Sequence, residues 1–538
     1  VKTPILGSSY VARSVNAADS RMVNLFPEVV PDGGKEKGWL QRAPGLRRVG
    51  TYGVGPVRGI WSYGIYTYVV SGTKLYRVDS AFGSLEVGDV TGTGPVSMAD
   101  NGTQLFIAAG GPSFIYNVST NAFAQITDPD FPGALQVDYL DGYFVFIEPN
   151  SQRLWVTSLL DGTSIDPLDF ASAEGNPDNL IGLIVDHREV WLFGTQSVEV
   201  WTNTGDADFP LARLNGAFNE VGCAATFSVA KLDNGVFWLG ADDRGRGIVY
   251  RANGYTAVRI STHAVEWQIQ SYSVISDAVA YSYQQDGHTF YVLTFPTANA
   301  TWVYDVATNA WHERASFLNG VLYRHRSNCQ TTFNTNVLVG DYQDGRVYAL
   351  DPTVYDDDEQ AQKWLRSWRA LPTGQNNLKR TTQHQLQLDC EAGVGLNGID
   401  TTVVLDDVEL FTEIDDTLYT ETSGSGAWEA TLQPSPGVFT QGLNGPISSS
   451  GPRLIAIRAT LAVYTSDDQG LNWTLRGVPT GAVSISAPVY ANNVWVIPSQ
   501  NPNNVVYRST DDGVTFNSVS ATAGAGAGIT GAYGGGAH

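Results

Sequence analysis

The polar side chains with the most regular spacing form two copies of Ser-x-Asp-x-Gly. One is VYTSDDQGLNW, with Ser466, Asp468, Gly470 and Trp473. The other is VYRSTDDGVTF, with Ser509, Asp511, Gly513, Thr515 and Phe516. Both fit the Asp-box pattern S-x-D-x-G-x-[ST]-[WF], with Asn472 in the hydroxyl position of the first, and they lie 43 residues apart. The chemistry of such a segment is that of a hairpin turn. The Asp accepts backbone N–H bonds across the turn, the Gly takes a positive φ and the aromatic ring packs beneath.

Asp-boxes also occur in sialidases and other glycosidases, so carbohydrate chemistry is the first enzymatic class to weigh. It needs two carboxylates, or a Tyr/Glu pair beside an arginine cluster that holds a sialic acid carboxylate. Arginines stand at 58, 153, 188, 213 and 259, but no motif sets them beside a nucleophile. The chain contains no G-x-S-x-G, no G-x-x-x-x-G-K-[ST] and no H-E-x-x-H. Cys223, Cys329 and Cys390 are far apart and show no metal spacing, so they read as buried thiols. The run Asp356, Asp357, Asp358 and Glu359 has the composition of a Ca²⁺ loop but reads as a solvated stretch between domains. The sequence thus assigns no catalytic, cofactor or metal residue, and the expectation is a protein that is not an enzyme and takes no cofactor. A glycan-binding or glycan-hydrolysing, sialidase-like β-propeller is the alternative.

The elements that carry these turns follow from a repeat. SGTKLYRVDS pairs Leu75 with Tyr76, and an aliphatic–aromatic pair returns at Tyr116, Trp155, Trp201, Tyr250, Tyr304 and Tyr348, at separations of 40, 39, 46, 49, 54 and 44 residues. An apolar strand and a turn precede each pair, and a short strand with a polar face follows most of them. About four short strands per period of this length is the pattern of a β-propeller blade, with the pair on the third strand. The fold class is therefore all-β: a propeller of about seven four-stranded blades, then a C-terminal β domain with Asp-box hairpins.

The last blade lacks a fourth strand, since GRVYAL runs into DPTVYDDDEQ. WLQRAPGLRRVG, residues 39–50, is the expected donor. The domain boundaries read as an N-terminal arm with this closing strand at 1–56, a propeller at 57–353, a linker and strand at 354–400 and an extension at 401–538. Within the linker, Trp364 and Trp368 suit a short amphipathic helix or an extended segment. The Gly/Ala-rich end, ATAGAGAGITGAYGGGAH, reads as a tail.

The bulk numbers agree. The chain has 538 residues, 43% of them apolar and 16% charged, with 57 Gly and 60 aromatic residues (14 Trp, 25 Tyr and 21 Phe). A net charge of −22 argues against tight nucleic-acid binding, which needs clustered cations to displace counterions from phosphate. No stretch approaches the ~20 apolar residues of a membrane span.

The stretch YVARSVNAADSRMVNLFPEVVPDGGKEKGWLQRAPGLRRV resembles the opening of the tail nozzle, or tail hub, proteins of short-tailed bacteriophages (podoviruses), also called packaged-DNA stabilisation proteins. The matching features are Tyr10, Arg13-Ser14, Ala18, Asn24-Leu25, Pro27-Glu28 and Pro44-Gly45-Leu46. Similar residues continue through SGTKLYRVDS, GDVTGTGPVSMADNG and EWQIQSYSVISDAVAYSYQQDGHTFYVLTFPTANATWVYDVATNAWHERAS, as far as LPTGQNNLKRTTQHQLQLDCEAGVGL. The resemblance implies a structural virion protein of the tail: a homohexameric ring that retains packaged DNA and conducts it during ejection. It implies a portal-bound adaptor on one side, tail fibres or tailspikes docked around it, and a needle or plug. Double-stranded DNA would pass without sequence-specific binding. Beyond Leu396 the chain departs from the pattern, continuing for 142 residues with two Asp-boxes rather than one.

Overall fold

Short runs of β-branched and aromatic residues, cut by Gly, Asn and Asp turns, give the described residues mainly antiparallel ladders. The computed structural model describes residues 6–368, apart from 12, 14–17, 31–36, 207 and 243–244. Beyond these it describes 413–414, 417–421, 428–431, 454–457, 461–466, 474–485, 489–491, 494–501, 505–511 and 513–520. The chain divides into two compact units, residues 1–396 and 397–538.

In the first unit seven sheets follow one another along the chain. Blade 1 runs Val57–Tyr63, Tyr66–Ser71, Lys74–Val78 and Ser84–Asp89, each strand hydrogen-bonded to the next. Blades 2, 3 and 4 repeat this order from Ser97–Asp100, Gln136–Leu140 and Leu180–Asp186. In blade 5 the first strand is split into Gly222–Cys223 and Ala230–Leu232, both paired with Gly235–Asp242. Blade 6 runs from Val279–Gln285 to Ala310–Glu313 and is extended outward by Met22–Val23 and Leu365–Arg366. Blade 7 comprises Ser327–Phe333, Asn336–Asp341 and Arg346–Asp351, and its fourth strand is Gly45–Thr51, antiparallel to Arg346–Asp351.

The sheets pack face to face in a closed circle, and each junction has its own apolar cluster. Tyr68 meets Tyr116 between blades 1 and 2, with ring centroids 5.5 Å apart, and Phe106 meets Phe144 at 5.4 Å between blades 2 and 3. Val145, Leu154, Leu183 and Leu192 fill the next junction. Phe193 meets Trp238 at 5.5 Å, and Phe237 meets Tyr291 at 5.6 Å. Tyr283, Phe290, Val339 and Tyr348 join blades 6 and 7 around Phe26 and Leu46 of the arm. Val57, Val69, Leu338 and Val347 join blade 7 back to blade 1. At that last junction Gly340 is required by space, because a Cβ there would collide with the Val57 side chain. A blade cannot bury both of its apolar faces alone; the circle does so, and it leaves only short outer edges.

Helix α1, His263–Ser271, lies between blades 5 and 6, capped by the Thr262 side chain, which accepts from Val265 N–H. Its Val265 and Ile269 enter the core between those blades. Trp364 and Trp368 flank the extended pair Leu365–Arg366, so this stretch is strand, not helix. The backbone of the arm, through Met22–Val23, captures it.

In the second unit, Leu454–Ile457, Val463–Ser466 and Thr474–Gly477 form one sheet. A second sheet contains Val494–Asn501, Val505–Ser509 and Asn517–Ser520. Ile455, Val463, Ile485, Trp495, Ile497 and Tyr507 form their shared core.

Candidate functional site

The seven repeat aromatics all lie on the third strand of a blade. Tyr116, Trp155, Trp201, Tyr304 and Tyr348 are buried, and Tyr76 and Tyr250 are half-buried. Several hold the turn that follows. Tyr116 Oη donates to Asn121 Oδ1 at 2.7 Å and Tyr304 Oη to Asn309 Oδ1 at 2.8 Å. Both asparagines have left-handed backbones, φ +58° and +53°. The repeat therefore sits within the blades and ties two of the turns between their strands.

At the second Asp-box, Asp511 Oδ1 accepts from Thr515 N–H at 2.9 Å and from Ser509 Oγ at 2.7 Å, and Oδ2 accepts from Thr515 Oγ1. These bonds, led by Thr515, hold the Asp511 carboxyl down at about 2. Gly513 has φ +83°, and Phe516 packs on the apolar core. In the first Asp-box, Ser466 is buried; Asp468, Gly470 and Trp473 lie outside the described residues. Cys390, Asp406, Asp407, Asp415, Asp416 and the Gly/Ala tail are likewise outside them.

The acidic run 356–359 corrects the expectation of a solvated stretch: Asp357 is 1% exposed and Asp358 8%. Asp358 takes both Arg48 nitrogens at 2.7 Å, Arg346 Nη1 at 2.9 Å and Arg326 Nη1 at 3.5 Å. Burial pushes the Asp358 carboxyl up, but the Arg48 and Arg346 bonds outweigh it and leave it below the ordinary range. Asp357 faces the interior; burial pushes it up to about 7, against opposing effects of Gln362, Arg326 and Arg314. The backbone of this run is tied to the closing strand, with Asp358 N donating to Leu46 O and Leu46 N to Asp356 O, both at 2.9 Å.

A second polar cluster fastens the arm to blade 6. His288 is bonded at Nε2 to Glu28 Oε2 (2.6 Å) and at Nδ1 to Asp305 Oδ2 (2.8 Å). Burial would lower the His288 pKa, but the two carboxylates raise it above the ordinary imidazole value. Arg21 grips Glu313 with Nε at 3.1 Å and Nη2 at 2.6 Å, and Asn24 bonds the backbone of Ala315 on both sides. The densest polar contacts of this unit therefore form a clasp, in which chain segments before and after the propeller lock onto blades 6 and 7. No local motif marks it, because its partners stand up to 346 residues apart.

Among the described residues, the carboxylates and arginines weighed for glycosidase chemistry are paired with one another or with backbone. A cleft of about 570 Å³ opens on the turns of blades 4 to 7, lined by Asp186, His187, Lys231, Asp233 and Gln330 among others. Its two carboxylates are committed, Asp186 to His187 at 2.8 Å and Asp233 to Arg251 at 2.7 Å. The five arginines of the sequence reading are also committed. Arg58 spends its guanidinium on the carbonyls of Gly72, Val90, Thr91 and Gly94. Arg153, Arg188, Arg213 and Arg259 pair with Glu148, Asp141, Glu199 and Glu266. Among the described residues no group of three or more His, Cys, Asp and Glu is arranged to hold a metal ion, and no helix is long and apolar enough to cross a membrane. Cys223 is buried and Cys329 half-buried; burial raises both thiols, Cys329 to about 12.

A family model described as Phage_stabilise, "Bacteriophage P22 Gp10, beta-propeller", matches residues 1–355. The tail hub protein gp10 of Salmonella phage P22 is 24% identical over 256 residues, covering 45% of this chain. The match spans 53% of that relative, about half its length. Solved structures that align include PorZ of Porphyromonas gingivalis, at 11% identity and a TM-score of 0.35, over 89% of this chain and 53% of that one. A GH74 enzyme of Niastella koreensis aligns at 14% identity and a TM-score of 0.36, over 88% and 80% of the two chains.

Proposed function

From the premise that this chain belongs to the phage stabilisation family of bacteriophage P22 Gp10, a β-propeller family, we propose that it is a tail hub subunit of a short-tailed phage virion. In this reading several copies, six by the family resemblance, form a ring-shaped channel that retains packaged DNA and conducts it during ejection. A portal-bound adaptor caps one side, fibres or tailspikes dock around the wall, and a needle or plug closes the exit. Residues 1–56 act as an arm, 57–353 as the propeller wall, 354–400 as the linker and 401–538 as an added docking domain.

The observation that carries the reading is a propeller whose last blade takes its fourth strand from Gly45–Thr51, inside the segment matched by the family. Its core is continuous around the circle and its described carboxylates and arginines are largely occupied with one another, which suits a rigid wall. The net charge of −22 suits a conduit as well, because duplex DNA gains no counterion-release energy from an acidic surface and is not gripped. Static light scattering of the full chain tests the reading. The expected mass is about six times the 58.0 kDa chain. A monomer at every concentration, with turnover of a glycan substrate, would replace it with the glycan-active reading.

A further inference from the structure

The junction of blades 6 and 7 contains a cluster of buried polar groups that neither the blade packing nor the clasp accounts for. The hairpin Ala315–Leu318 and Val321–Arg324 pairs Ala315 with Arg324. Continuing that register by one step sets Arg314 opposite His325, and both backbones bond Thr301: Arg314 N to its carbonyl and His325 N to its Oγ1, each at 3.1 Å. Arg314 and His325 flank the paired ends of this hairpin, close enough for the Arg314 charge to act on the His325 ring, and Ser316 is the second residue of its first strand.

All three are more than nine-tenths buried. Arg314 Nη2 donates to Tyr283 Oη, and the guanidinium carbon sits about 5.5 Å from the Tyr283 and Phe290 ring centres. Its Nε and Nη1 have no partner among the described residues, and the same holds for Ser316 Oγ and His325 Nε2. His325 Nδ1 lies 2.6 Å from Ser327 Oγ and 3.4 Å from Ser327 N–H, and the tautomer in which Nδ1 accepts from these groups leaves a proton on Nε2. Every one of these unused groups can donate. An unpaired buried guanidinium is among the costliest arrangements a fold can hold.

The nearby carboxylates do not balance the charge. Asp358 already serves Arg48, Arg326 and Arg346. Asp357, whose Oδ2 is unpartnered, is the other acid near Arg314, and its burial favours the neutral form.

We propose that the blade 6–7 junction is a closed binding site for one small monovalent anion of the halide class, held by Arg314 Nε and Nη1, Ser316 Oγ and His325 Nε2. The ion completes the charge balance under the clasp and locks the arm-bearing blade to the blade that the arm closes. Tyr283 and Phe290 lie against the Arg314 guanidinium, so the ion is held by dry donors and exchanges only when the junction opens.

The test uses the full chain. Crystals grown in bromide should show one anomalous peak beside Arg314. Replacing gluconate with chloride or bromide at constant ionic strength should raise the Tm saturably, by roughly 2–4 °C. Arg314→Met should lose that halide response while still melting cooperatively. If Arg314→Met does not fold, the bromide peak and the wild-type titration decide alone. Water-only density beside Arg314 in bromide crystals, or an equal halide response in Arg314→Met, would overturn the proposal.

Discussion

At the residue scale, the two kinds of aspartate carry different weights. Asp358 is buried under three guanidinium groups, so Asp358→Ala leaves paired charges uncompensated and should cost about 3–5 kcal/mol in urea unfolding of the propeller transition. Its depressed pKa adds stability that is present above the usual carboxylate range and lost as pH falls through the folded value. Asp511 in the Asp-box is solvent-facing and makes local bonds only, so Asp511→Ala should cost about 1 kcal/mol and leave the propeller transition unmoved. A Gly340→Val chain should lose about 1–3 kcal/mol by overpacking against Val57, read from the same denaturant midpoint. The Asp-box was legible as a turn because its donors and acceptors lie within four residues of each other. The weight of Asp358 was not, because DDDE looks solvated until Arg48 and Arg326 arrive from distant strands.

At the scale of elements, the clasp is a set of titrating contacts between the arm, blades 6 and 7 and the segment after blade 7. The raised pKa of His288 gives stability that is full below the free imidazole value and fades as pH rises through the folded value. Asp357, up at about 7, holds a proton that the unfolded chain releases above its normal range, so its contribution also falls as pH climbs toward 7. Two groups act the other way. Burial and then Arg314 lower His312 and His325, the latter to about 3, so stability is lost as pH drops below 6.5 and the unfolded chain takes up protons. Urea midpoints should therefore peak near pH 6–7. Asp357→Asn should steepen the rise of the midpoint between about pH 4 and the maximum, where its proton opposes the effect of His312 and His325; an unchanged pH profile would remove Asp357 from the clasp. Deleting residues 1–51 removes the fourth strand of blade 7, Phe26 and Glu28 together, and should collapse the propeller. A truncated chain with an unaltered melting curve would contradict that. The blades could be read from sequence because each third strand repeats an aliphatic–aromatic pair. Blade 6 could not be read in full, since Met22–Val23 and Leu365–Arg366 are two-residue strands with no pattern of their own. Helix α1 left only the faint signal of a Thr cap before an apolar i, i+4 pair, Val265 and Ile269.

At the scale of the whole molecule, the seven blades of the first unit are continuously packed. The apolar clusters form one unbroken circuit through seven blades, so local loosening at any junction is opposed by both neighbours. Acidity should leave duplex DNA unbound to the isolated chain, with no salt-sensitive shift in a mobility assay at low ionic strength. A heterologous contact that closes is what a ring of such subunits requires. Electron microscopy of the purified full-length chain tests this most directly. The account predicts class averages of a rotationally symmetric ring with an open centre; a field of single propellers at every protein concentration would contradict it.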